Sequence, residues 1–63
     1  MDHNYEIHAA DGERVTQSNV TGWSKATAVR KARAVLASGV GAYALITRFD
    51  WGRGNCVIGK ANK

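Results

Sequence analysis

A chain of 63 residues with one cysteine and a formal net charge of +4 makes one domain at most. So short a chain buries only about 60% of the surface it exposes when unfolded, and its core rarely supplies more than roughly 3–5 kcal/mol without a disulfide, a metal or a partner. Cys56 alone rules out an internal disulfide, no cysteine–histidine cluster has zinc-ligand spacing, and no apolar run approaches the length of a membrane span.

Apolar residues make up 44% of the chain, so a folded domain is expected rather than disorder. Met1-Asp2-His3-Asn4 does not read as a secretory signal, and with a lone cysteine the expected setting is reducing and cytoplasmic. The charge is unevenly spread. Residues 1–20 carry Asp2, Glu6, Asp11 and Glu13 against Arg14, a balance of −3. Residues 21–63 carry Lys25, Arg30, Lys31, Arg33, Arg48, Arg53, Lys60 and Lys63 against Asp50, a balance of +7. A fold that separates the two parts has a basic surface and an acidic one. Basic surfaces attract nucleic acid, anionic lipid and acidic proteins alike.

Tyr5-Glu6-Ile7-His8-Ala9 alternates apolar and polar with period two and predicts a half-buried strand. Asp11-Gly12 follows, the dipeptide that favours a type I′ turn. Glu13–Ser18 returns as a polar edge strand, with Val15 its main inward candidate. Thr21 and Ser24 are both candidate helix caps.

From Ser24 to Ser38 the chain reads as helix. Ala28, Val29, Ala32, Val35 and Leu36 form one apolar stripe, Ala26, Ala34 and Ala37 add propensity, and Gly39 ends the run. Ala42–Phe49 is rich in strand formers. Asp50-Trp51-Gly52-Arg53-Gly54 is a turn, Asn55–Gly59 the last strand, and Lys60–Lys63 a short frayed basic tail. The order is ββαββ, an α+β domain. Its simplest form is a four-stranded antiparallel sheet of order 2-1-3-4 with the amphipathic helix packed on one face. A β-grasp arrangement, with the first and last strands side by side, is the rival.

Two constellations are candidates for binding. At about 100° per residue, Arg30 sits near the centre of the helix's solvent side, with Lys31 and Arg33 to either side. Small neighbours, Ala26, Ala34 and Ala37, let that face approach a phosphate-lined groove closely. A solvated outer face, or packing of the alanines on a second subunit, is the plainer alternative. In the loop, Arg48, Trp51 and Arg53 stand beside Gly52 and Gly54. Aromatic rings stack on bases while arginines take phosphates; equally, Trp51 can fold back over the small core. Lys60 in the tail adds to the same basic set. Trp23, just before the helix, is expected to pack on the sheet edge.

Catalytic and metal sites are not expected. His8 shares a strand face with Glu6 and Asn4, too few ligands for a closed site. His3, third from a free amino terminus, belongs to an arrangement that can wrap Cu²⁺. Cys56 has no neighbouring base in sequence and reads as a small core residue. No nucleophile elbow or Gly-rich phosphate loop is present, so neither an enzyme nor a cofactor is expected. The leading expectation is a small non-enzymatic nucleic-acid-binding or regulatory accessory protein. The alternative is a protein-binding module docking on an acidic protein, of the size of the small enzyme inhibitors that phages make. A homodimer is possible in either case, and no membrane contact is expected.

Overall fold

The computed structural model describes residues 2–62. Strands β1 (His3–His8) and β2 (Arg14–Gln17) precede helix α1 (Lys25–Ala37), and strands β3 (Tyr43–Asp50) and β4 (Gly54–Asn62) follow it. They form one open sheet of order β2-β1-β3-β4, antiparallel at every pairing. The β-grasp rival fails because β3 lies between β1 and β4. No described helix is long and apolar enough to cross a membrane.

The helix starts and stops where its caps are. Ser24 Oγ accepts a hydrogen bond from the Thr27 N–H at 3.2 Å, satisfying one of the free amides of the first turn. At the other end Gly39, at φ +94°, donates its N–H to the Leu36 carbonyl at 3.0 Å and turns the chain away. Between the caps Ala28, Ala32 and Leu36 are buried, with Val29 and Val35 partly buried against the same cluster. The helix packs over β1, β3 and β4 and makes no contact with β2.

The core is small. Ile7, Leu36 and Ile46 are its largest fully buried side chains, filled in by Ala28, Ala32, Ala44 and Ala61. Alanine at four of these positions lets the helix lie close to the sheet. Burying each large aliphatic group contributes roughly 1.5–3 kcal/mol. Trp23 closes one end. Its ring stacks on Tyr5, with centroids 6.1 Å apart and planes 14° from parallel. Its carbonyl accepts the backbone N–H of His3 at 3.3 Å. Packing of Trp23 on the sheet is therefore what is seen.

Four expectations are corrected. The Asp11-Gly12 turn is not type I′, because Asp11 does not have positive φ; only Gly12 does, at +94°. Its N–H closes the turn on the Ala9 carbonyl at 2.9 Å, so the left-handed residue follows the turn rather than forming its centre. Val15 is 51% exposed. Ile7 faces Thr16 and His8 faces Arg14, which leaves Val15 as the extra residue of a bulge on a strand the helix does not cover. Residues Lys60–Asn62 are strand, not a frayed tail: Lys60, Ala61 and Asn62 pair with Leu45, Ala44 and Tyr43. Lys63 lies outside the described residues. Cys56 is only partly buried and is not in the core cluster.

Candidate nucleic-acid interface and sheet groove

The register of the strands decides which side chains share a face. Residues paired across an antiparallel sheet point the same way. Tyr5 pairs with Ile46, Ile7 with Ala44, and Ala44 with Ala61, and this face meets the helix. The other face carries Asn4, Glu6 and His8 from β1, Tyr43, Thr47 and Phe49 from β3, and Asn55, Val57 and Lys60 from β4. No helix covers it.

The candidate binding residues divide between these surfaces. Arg30, Lys31 and Arg33 are exposed on the outer side of α1, and Lys25 is exposed with them. Lys25, Arg30 and Arg33 border one shallow trough with Ala26 and Val29. The helix has no acidic residue in its first turn and no carboxylate at any position. Among the described residues the one ion pair is His8–Glu6, so none of these cations is neutralised by a carboxylate. Lys25 is the first helical residue, at the positive end of the helix dipole, where a cation is unfavourable. Four cations thus stand on one short helix without compensation.

Arg48 pairs with His3 and Cys56. It lies on the helix-facing side of the sheet, at the end where α1 begins, and is exposed. Trp51 and Arg53 sit at the β3–β4 hairpin tip. Asp50 shapes that turn: its Oδ1 accepts the Gly52 N–H at 2.8 Å, and its carbonyl accepts the Arg53 N–H at 3.1 Å. Trp51 does not fold over the core. It is 91% exposed and leans edge-on against Phe49, ring centroids 5.0 Å apart at 85°. Lys60 is on the uncovered face, its Nζ 4.7 Å from the centre of the Tyr43 ring. The seven residues therefore do not form one surface: three are joined by Lys25 on the helix, and the others lie around the β3–β4 hairpin.

The other acidic residues lie on and beside β1. Asp2 and Glu6 line a groove of about 370 Å³, together with Asn4, Thr47, Phe49 and Trp51. Glu13 follows the first hairpin turn, where its N–H bonds Asp11 Oδ1 at 3.0 Å. Asp2 and Glu6 thus gather at the groove, on a sheet face that Lys60 shares. The groove was not foreseen, because its walls come from β1, β3, the hairpin tip and residues 17–21. Only the strand order brings them together.

His3 and His8 stand at opposite ends of β1. No group of three or more histidine, cysteine or acidic side chains is gathered among the described residues. His3 is buried, with Nδ1 3.2 Å from the Trp23 carbonyl; Met1, the other half of a terminal chelate, lies outside the described residues. His8 stacks on Tyr43 at 5.4 Å and 10°. No protein-family model, curated protein or solved structure matches this chain.

Proposed function

We propose that this chain is a non-enzymatic nucleic-acid-binding domain that grips backbone phosphates with the outer side of α1. The observation that carries the reading is the uncompensated set Lys25, Arg30, Lys31 and Arg33, all exposed on one helix that holds no carboxylate. Local rules favour acids in a helix's first turn and paired charges along its surface. A departure from those rules is expected where function requires it. Small residues at Ala26, Ala34 and Ala37 let the arginines reach phosphates from a close approach.

Binding of random-sequence DNA and RNA at several salt concentrations tests this. Each neutralised phosphate releases counterion, so log affinity should fall against log salt with a slope of about −0.9 per contact on duplex DNA. Arg30→Ala with Arg33→Ala should flatten the slope by up to about two units while the helix persists. Absence of binding at low salt, where screening is least, would defeat the reading.

A protein-binding module is the second reading. It is favoured by the exposure of Phe49, Trp51 and Val57 near the same hairpin, since tryptophan is enriched among residues that dominate protein interfaces. In that case nucleic-acid binding is weak, and Trp51→Ala rather than the helix substitutions weakens binding to the protein partner.

A further inference from the structure

We infer that the groove on the uncovered face of the sheet is a binding site for an organic cation of guanidinium or alkylammonium type. The inference does not depend on the helix face or on nucleic acid.

Shape comes first. At about 370 Å³ the groove lies within the usual range of ligand sites, roughly 300–1,000 Å³. One wall is prebuilt. Asn4 Oδ1 accepts both the Ser18 hydroxyl at 2.8 Å and the Val20 N–H at 2.9 Å, which ties residues 18–20 to β1. Asp2 is also held in place, its carbonyl accepting the Phe49 N–H at 3.0 Å. A fixed wall reduces the ordering that a ligand would otherwise impose.

Charge selects the ligand. Two carboxylates, Asp2 and Glu6, line the groove, and no lysine or arginine does. An anion is repelled there, although the chain as a whole is basic. His8 takes only Glu6 Oε1, at 3.1 Å, leaving the second carboxylate oxygen without a protein partner among the described residues.

Aromatic rings supply the rest. Phe49 and Trp51 stand at 85° to one another on the rim, and the Trp51 indole is 91% exposed. An indole face is the best of the side-chain surfaces for attracting a cation. Thr47, only 3% exposed, also lines the groove. No side-chain hydrogen bond joins its hydroxyl to another described residue, so it is available to a bound N–H donor. A nucleobase also stacks on tryptophan, but its attached phosphates would meet Asp2 and Glu6.

The full chain is titrated with N-acetyl-arginine amide, with its citrulline counterpart of the same shape but no charge, with adenosine, and with a glycine-flanked arginine peptide. ¹H–¹⁵N spectra provide the readout. The arginine amide should shift the Trp51 indole and the Thr47 amide saturably, and less so as salt is added. Trp51→Ala, which removes an exposed ring and leaves the fold intact by the same spectra, should weaken binding by roughly 2- to 30-fold. Asp2→Asn should weaken it as well. Tighter binding of the peptide than of the amide identifies a partner protein's side chain as the source, and equal binding identifies a free small cation. Citrulline binding as well as arginine, adenosine binding in its place, or no saturable shift would each overturn the assignment.

Discussion

His8 and Glu6, two residues apart on β1, meet across 3.1 Å between Nε2 and Oε1, while His8 Nδ1 stands 2.9 Å from the Gly12 carbonyl. Both partners of the imidazole are acceptors. A neutral ring has one N–H and can satisfy only one of them; the imidazolium satisfies both. The pKa of His8 is accordingly raised above its ordinary 6.5, by the Gly12 hydrogen bond first and the Glu6 hydrogen bond second, with burial and Arg14 opposing. Lys60, 4.7 Å from the Tyr43 ring on which His8 stacks, is a further nearby cation.

A raised folded-state pKa stabilises the fold in full below the unfolded value and loses that contribution as pH rises through the folded value. The urea midpoint should therefore be higher at pH 5.5 than at pH 8.5. In His8→Gln this difference should shrink, because the group that titrates is gone. An unchanged pH dependence in that variant would show that the β1–β2 hairpin is not held in this way.

Leu36→Ala should cost about 2–5 kcal/mol, the range for a buried leucine. Leu36 is, with Ile7 and Ile46, one of the largest fully buried side chains among the described residues, and the alanines around it cannot expand into the space. In so small a domain that loss is enough to unfold much of the population. A urea midpoint close to wild type would contradict the packing.

The helix and its stripe were legible because caps and periodicity agree. Ser24 and Gly39 bracket a run in which Ala28, Ala32 and Leu36 recur at four-residue spacing. The sheet order followed from connecting two hairpins through one helix in the simplest way. Val15 was misread because period-two alternation fails at a bulge, and nothing in the local residues marks one. The same holds at β4. Ile46 faces Gly59 and Thr47 faces Val57, so Ile58 is the extra residue, and the phase of the strand changes there. The register beyond it puts Val57 and Asn55 on the same side as Thr47 and Phe49. The basic helix face could be read from one segment. The groove could not, since Asp2, Thr47 and Trp51 are neighbours only after the chain is folded.

Two glycines should respond differently to alanine. Gly41 has φ +72°, and a Cβ there would clash with the Ile7 side chain and lie 3.0 Å from the His8 carbonyl oxygen. Gly41→Ala combines a strained backbone with a blocked approach and should destabilise by about 1–3 kcal/mol or more. Gly59 lacks a positive φ, and its nearest neighbours to an added Cβ are Lys25 Cε at 3.7 Å and Ile46 Cβ at 3.8 Å, ordinary contact distances. Gly59→Ala should be neutral or stabilising by up to about 1 kcal/mol, because it restricts the unfolded chain. Thermal melts of the two variants check this; equal losses would mean that the β3 entry is not packed as described.

The last prediction sets stability against binding at one residue. Lys25 is the first residue of α1, where the helix dipole disfavours a cation and favours an anion. It is also exposed and borders a trough with Arg30 and Arg33, its side chain lying beside Gly59 of β4. Lys25→Glu should raise stability by about 0.3–1 kcal/mol through the dipole. On the proposed phosphate-binding reading the same change takes away one phosphate contact and adds a repelling charge, so affinity for duplex DNA should fall and the salt slope should flatten by about one unit. A purely structural lysine would show the first effect without the second. If the variant is more stable and binds nucleic acid as tightly as wild type, the helix face is a solvated surface and the proposed phosphate contacts lie elsewhere.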